Sequence, residues 1–399
     1  MGKLPNLSPS NRVDREEAQP AGSPCDVTIV ANDIGSVGGM ERVLAELITG
    51  LHGLGHNVTV IARTFAVPGA DGIEFHRVRG PGRPFLLAYP WFVIAGSLAV
   101  RRWRRGLVQS TGAIVLNRVD VIHVHYCHQV GPANPSRSTR LFRGHARMVR
   151  LVKRVSERLC YRANSAATFV CVSEGVAEEM REHYPELADR VLTIHNGVDT
   201  ATFGPGQRRA DAAALREGLA IDEHRLVAAF VGSEWERKGL RALLHALALA
   251  PEWDLVVAGG GDTESYQRLA DSLGVGRAVH WLGVVSDVQP VYELADAFVL
   301  PSSYETFSLV TFEAAASGIP ILGTPVSGVR ELIRDGENGF VITREAPLIA
   351  ERLRELAADP ALRQRLGGNA RQAASEFSWE ATVAKHDELY ARLTGAPRA

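Results

Sequence analysis

DVTIVANDIGSVGGMERVLAELITGLHGLGHNVTVIAR, residues 26–63, sets the grammar of the whole chain. A β-branched run (DVTIVAND) enters a glycine-rich turn (GSVGG, 35–39), continues as MERVLAELITGLHGLGH with apolar residues at helical spacing, and ends in a second β-branched run (NVTVIAR). Strand, helix and strand in that order make a parallel β-α-β unit, because parallel strands need a long crossover. The pattern resumes at DVIHVH (120–125), ATFVCVS (167–173) and RVLTIHNG (190–197). An α/β domain with a doubly wound parallel sheet is the economical reading.

Glycine, proline, Asp and Thr interrupt the pattern at GVDTATFGPG (197–206), which marks a linker. Beyond it the grammar restarts with RLVAAFVGS (225–233) and runs through DLVVAGGGD (254–262), DAFVLPSS (296–303) and IPILGT (319–324) to GFVIT (339–343). Two Rossmann-like halves of similar size imply a ligand cleft between them. The expected organisation is a polar, Pro- and Ser-rich leader over 1–24, a first domain over 25–198, a second over 199–377 and a closing helical segment over 378–394.

The chain has 399 residues, enough for at least two cores, and its 44 basic and 45 acidic residues nearly cancel. Hydrophobic content of 46% and charged content of 22% exclude a disordered chain, a collagen and a uniformly basic nucleic-acid coat. Four cysteines without CxxC spacing argue for a reducing compartment. No apolar run reaches membrane-span length and the leader lacks a signal-peptide centre, so a cytoplasmic protein is expected. The balance hides a polarised middle: Arg101 to Arg162 holds fourteen Lys and Arg against Asp120 and Glu157 alone.

The chemistry concentrates in PSSYETFSLVTFEAAASGIPILGTPVSGVRELI (301–333). A strand runs into a loop, Ser308 is placed to cap, and LVTFEAAAS forms a helix that Gly318 and Pro320 end. Backbone N–H groups at such a helix start, from Phe307, Ser308 and Leu309, suit a diphosphate without a metal. Glu305 precedes the helix and Glu313 lies within it. Eight helical steps put them about 12 Å apart, wider than the roughly 5–9.5 Å of a hydrolytic carboxylate pair, and fit one acid at each end of a sugar nucleotide better. Two glutamates complementing a helix dipole are the plainer account of this pair taken alone.

A second patch, FVGSEWERKGLRALLHAL (230–247), sets Arg237 and Lys238 between a strand's end and a helix start, where their charges can neutralise a leaving diphosphate. A third is Gly35, Gly38 and Gly39, a turn that lets backbone approach a ligand ahead of a helix beginning near Met40 to Arg42. Neither GSVGG nor VAGGGD matches the dinucleotide fingerprint. VIHVHYCHQVG (121–131) adds His123 and His125 on one strand face and His128 in the loop after it, with nothing nearby to complete a metal site.

Taken in order, GGMER, CVSEGV, HNGVD, FVGS…RKG and the E-x7-E segment ETFSLVTFE resemble the retaining, nucleotide-sugar-dependent glycosyltransferases of the GT-B fold (family four, group 1 type), from about residue 26 to about residue 394. The resemblance implies two Rossmann-like domains facing a cleft, a sugar nucleotide held mainly by the second, an acceptor held mainly by the first, and no obligatory metal or other cofactor. It implies Glu313 as the ribose ligand, Glu305 as the contact to the transferred sugar, Arg237 and Lys238 on the diphosphate, Gly38 and Gly39 beside the nucleotide sugar, and His128 or His125 approaching the sugar from the first domain. It also implies that the final helix crosses back onto the first domain. Ser233 stands where many relatives carry Arg, and ETFS replaces a commoner Glu-Gly-Phe-Gly.

Arg137, Arg140, Arg143, Arg147, Arg150, Arg154 and Arg158 recur at intervals of three and four and form a helical stripe. With the apolar PFLLAYPWFVIAGSLAV (84–100) upstream, that stripe would dock on an anionic bilayer at the inner face of the membrane, or else would cover a core beside a buried apolar helix. The function expected is transfer of a hexose or related sugar to a hydroxyl of a glycan, glycolipid or small molecule, with no nucleic-acid partner. Two rivals stand against it: a sugar-nucleotide epimerase on the same scaffold, and a non-catalytic protein that binds anionic surfaces.

Overall fold

The computed structural model describes residues 24–35, 38–130 and 140–395, with the side chains of 140–143 left aside. The expected leader, residue 24 apart, lies outside the described residues. Contacts divide the chain into two units, one built from the stretch before Val198 together with the segment from Trp379 onward, the other from Val198–Ser378.

The first unit runs β1 (Asp26–Val30), β2 (Asp33–Gly35), α1 (Gly39–Gly53), β3 (Asn57–Ala62), β4 (Thr64–Ala66), β5 (Glu74–Arg77), α2 (Phe85–Trp103), β6 (Leu107–Thr111), β7 (Val121–Val124), α3 (Arg140–Ala163), β8 (Thr168–Cys171), α4 (Glu174–His183) and β9 (Val191–Thr193). Its seven-stranded sheet has the order β5-β3-β1-β6-β7-β8-β9, and its neighbouring strands pair in parallel. Strands covered on both faces read as continuous apolar runs, which is why Val27 to Val30 and Val121 to Val124 are buried without alternation. Helix α1 buries Val43, Leu44, Leu47, Ile48 and Leu51, a three-and-four spacing that presents one stripe to the sheet. β2 and β4 form a separate two-stranded sheet next to the glycine turn.

The second unit runs α5 (Arg209–Gly218), β10 (Leu226–Val231), α6 (Trp235–Lys238), α7 (Leu240–Leu247), β11 (Trp253–Ala258), α8 (Thr263–Ser272), β12 (Val279–Gly283), α9 (Gln289–Leu294), β13 (Ala297–Leu300), α10 (Leu309–Ala316), β14 (Ile321–Gly323), α11 (Val329–Leu332), β15 (Gly339–Val341), α12 (Ala346–Ala358) and α13 (Pro360–Ser375). Its order, β12-β11-β10-β13-β14-β15 with parallel neighbours, is that of a doubly wound sheet. Trp253, fully buried on β11, donates its indole N–H to the Leu353 carbonyl of α12 at 3.0 Å and ties a helical layer to the sheet.

α14 (Trp379–Thr394) packs on α1 in the first unit. Its Tyr390 hydroxyl donates to Gln109 on β6 at 2.7 Å, and Asp387 meets His56 at 3.1 Å, all four side chains buried. A polar seam thus fixes where a sequence-remote helix seats.

Candidate active site

In a doubly wound sheet, the loops leaving the two strands where the order reverses diverge and open a crevice. In the second unit those strands are β10, which leads into α6, and β13, which leads into α10. Three non-glycine residues have positive φ among the described residues, and two stand at this point: Glu234 (57°) before α6 and Ser308 (68°) before α10. Such backbone costs about 1–3 kcal/mol per residue and persists only where its surroundings over-determine it.

Glu305 lies between the two loops, 8% exposed. Its Oε1 accepts from the Lys238 ammonium at 2.8 Å and the Ser302 hydroxyl at 2.8 Å, and lies 3.1 Å from Arg237 Nη1. Burial pushes this carboxyl up, but the charges of Lys238 and Arg237, with hydrogen bonds from Lys238 and Ser302, outweigh it and leave it below the usual carboxylate range. The structure therefore brings Glu305, Arg237 and Lys238 onto one oxygen. It also separates the two cations. Arg237 spends its N–H groups on Glu234 Oε2 (3.2 and 2.9 Å), on the Tyr304 carbonyl and on Glu305, whereas the Lys238 ammonium, with three protons, gives one to Glu305. Arg237 is a brace, and Lys238 has donors to spare for a ligand.

Gly239, between α6 and α7, holds φ 84° with its Cα against the Pro301 carbonyl, so any side chain there meets backbone. Replacing Gly239 with alanine is expected to lower unfolding free energy by about 1–3 kcal/mol. Calorimetry checks it; an unchanged transition would contradict the close approach of the two loops.

α10 departs from the sequence expectation in two ways. Ser308 stands at the N-cap position, yet in left-handed backbone its hydroxyl pairs with Thr311 Oγ1 at 2.8 Å and caps no N–H. Because the helix begins only at Leu309, the eight helical steps assumed between Glu305 and Glu313 do not exist, and the 12 Å spacing loses its basis. Phe307 is buried, its ring stacked on Phe312 at 4.2 Å. Glu313 is 3% exposed and accepts from the Tyr292 hydroxyl at 3.1 Å. Helix-start amides in general lack intrahelical acceptors and attract anions, and the start of α10 at Leu309 follows Glu305 by four residues.

In the first unit, Gly38 is the cap of α1 with φ 97°, and Gly39 opens the helix, one residue ahead of the expected start; residues 36–37 lie outside the described residues. His125 follows β7, its ring 4.4 Å from that of His123 as alternation requires, and its Nε2 has no partner. Burial and His386 lower its pKa to about 4. His128 is likewise lowered to about 4, by burial and by the Lys153 charge. Its loop is held by α3: the Glu157 carboxylate accepts from the His128 N–H at 2.9 Å and from Gln129 Nε2 at 3.3 Å, while Arg154 donates to the His128 carbonyl at 3.1 Å and the Gln129 carbonyl at 2.6 Å.

Sequence reasoning overlooked Ser302, Tyr292 and Glu157. A serine after a strand and a tyrosine two elements away carry no pattern. Glu157 had a signal in being the sole acid among the arginines of its helix.

Two family models match the chain: "Glycosyltransferase Family 4" over residues 37–202 and "Glycosyl transferases group 1" over residues 211–373. A D-inositol 3-phosphate glycosyltransferase of Corynebacterium efficiens is 33% identical over 232 residues, which are 55% of this chain and 54% of that protein. The chain thus spans about half the length of this curated relative. Among solved structures, WaaG, described as a glycosyltransferase involved in lipopolysaccharide biosynthesis, aligns with a TM-score of 0.76 at 21% identity over 91% of this chain and 99% of that one. Anabaena HepE in complex with UDP-glucose aligns with a TM-score of 0.69 at 20% identity over 91% and 98%. With one family model on each unit and the fold shared with WaaG and HepE, the chain belongs to the GT-B glycosyltransferases, a family 4 domain joined to a group 1 domain.

Proposed function

We propose that the protein transfers a hexose or related sugar, with retention, from a nucleotide-diphospho-sugar to an acceptor hydroxyl on a glycan, glycolipid or small molecule. The observation that carries this reading is the Lys238–Glu305–Arg237 cluster at the switch point of the second sheet, beside the start of α10. In this reading the diphosphate lies against the α10 amides of Ser308 and Leu309 with Lys238 alongside, Glu305 takes a sugar hydroxyl, and Glu313 takes the ribose. The bond from the anomeric carbon to the diphosphate oxygen breaks as the acceptor oxygen bonds to the same face. The acceptor proton passes to the departing diphosphate oxygen. Positive charge supplied in place by the ammonium and the helix amides is worth most where charge develops, on that oxygen, so no metal is required. His125 and His128, in the first unit, are each held neutral at pH 7 and so can accept or donate a hydrogen bond.

The HepE complex names UDP-glucose as the first donor to try. Thermal unfolding against UDP, GDP, ADP and dTDP sugars is expected to show one base raising stability, by about 2.7 kcal/mol at a hundredfold excess over Kd. Following that donor by NMR then separates the readings. Nucleoside diphosphate released only with acceptor supports transfer, whereas a new sugar nucleotide formed without acceptor would make the protein an epimerase. Stabilisation by none of the four would remove the donor site.

A further inference from the structure

The apolar surface of this protein is unevenly placed. Of sixteen large hydrophobic side chains exposed among the described residues, eight lie on α2 and α3. On α2 they are Leu87, Trp91, Ile94 and Leu98, each 51–63% exposed and spaced four, three and four apart. On α3 they are Met148, Leu151, Val155 and Leu159, each 46–57% exposed and spaced three, four and four apart. Each set is one helical stripe, and both point to solvent. The two helices pack together, with the Lys153 ammonium 5.1 Å from the centre of the Phe85 ring. The alternative of a buried apolar helix over 84–100 holds for one face only: α2 buries Tyr89, Phe92 and Val93 but turns its other face outward.

Charge completes the picture. Arg101 and Arg102, both exposed, continue the α2 stripe one turn past Leu98, and the exposed Arg162 continues that of α3 past Leu159. Exposed Arg147 and Arg158 flank it. Neither helix opposes them with an exposed acid: α2 contains none, and the one acid of α3, Glu157, is fully buried and spent on the 128–129 loop. The arginine stripe itself is less uniform than its spacing implies. Arg154 turns inward to that loop, Arg137 lies outside the described residues, and nothing is described of the Arg140 and Arg143 side chains.

We propose that the joint outer face of α2 and α3 docks on an anionic lipid surface, apolar stripes entering the acyl boundary and arginines meeting headgroup phosphates. Among the described residues no helix is long and apolar enough to cross a membrane, so the contact lies along the surface. Arginine supplies about 1 kcal/mol each near such a surface, and partly inserted leucine and tryptophan add apolar burial. A second copy of the chain, the other occupant of an apolar face, would have to bring this cationic surface against itself.

The test uses the full chain in flotation with phosphatidylglycerol or phosphatidylcholine vesicles, at about 50 mM and about 500 mM salt. It needs no donor sugar and stands apart from the transferase reading. Binding to the anionic vesicles at low salt is expected, with a loss of at least about tenfold on neutral vesicles or at high salt. The paired variants I94E/L98E and L151E/V155E change exposed positions, so both are expected to fold, with the parent's circular dichroism and thermal unfolding transition, and to lose vesicle binding by at least about tenfold. Failure of the parent to float with phosphatidylglycerol, equal binding by both variants, or a dimer in light scattering that the variants dissolve would each overturn the proposal.

Discussion

Methionine in place of Lys238 is expected to lower kcat by about 100- to 1,000-fold while KM for the donor moves little, as when one preorganised donor is withdrawn from a developing oxyanion. The side chain is nearly isosteric and packs beside Gly232, so the fold survives; what goes is the ammonium 2.8 Å from Glu305. Glu305 keeps Ser302 and Arg237, so the stability loss stays near 2 kcal/mol rather than that of a stranded buried charge. Steady-state kinetics with the donor found by thermal shift decides it, and a variant within about threefold of the parent would remove Lys238 from the chemistry. Arginine 237, committed to Glu234, Tyr304 and Glu305, is expected to act more on stability than on turnover.

The second large effect concerns acid. His123 and His386 are 2% and 0% exposed, with rings 5.4 Å apart, and His125 adjoins His123. Neither nitrogen of His123 nor Nε2 of His386 finds a partner, and Gln109 Nε2 and Thr111 Oγ1 are orphaned too. Burial drives all three imidazoles down, His125 and His386 to about 4 and His123 well below its ordinary value. Unfolded, they take protons near 6.5, so between pH 6.5 and about 4 the unfolded chain holds more protons. Their contribution is full above pH 6.5 and is lost as pH falls toward 4, by roughly 3 kcal/mol for one such histidine. Differential scanning calorimetry from pH 7.5 to pH 4 is expected to show the first unit losing stability steeply below about pH 6.5, and His386→Met flattening that slope. A parent whose transition ignores acid in that range would contradict the buried neutral cluster.

How much of this was legible beforehand follows from burial. Strands covered on both faces, such as those at 26–30, 226–231 and 297–300, announce themselves as apolar runs. The parallel order followed from the helices between them. β6, LVQST, went unnoticed because it carries Gln109, Ser110 and Thr111 into the core, where polarity disguises a central strand. At the site, proximity to strand ends was readable for Glu305, Arg237 and Lys238, but not that one carboxylate oxygen gathers both cations. The failed spacing between Glu305 and Glu313 has the same root: a left-handed residue at Ser308 breaks a periodicity that sequence alone extends. Nor did the arginine spacing of α3 disclose that Arg154 points inward, since a three-and-four repeat fixes the helix and leaves its rotation about its axis to the neighbours.

The seating of α14 has a consequence for biosynthesis. Residues up to Gly197 leave the ribosome first, yet Asp387 and Tyr390, partners of His56 and Gln109, belong to the segment that begins at Trp379. At roughly 5–20 residues per second, their arrival trails by about ten to forty seconds, the time to translate the whole second unit. Throughout that interval the nascent first sheet waits with an uncovered polar seam, so the half of the protein made earliest is the half finished last.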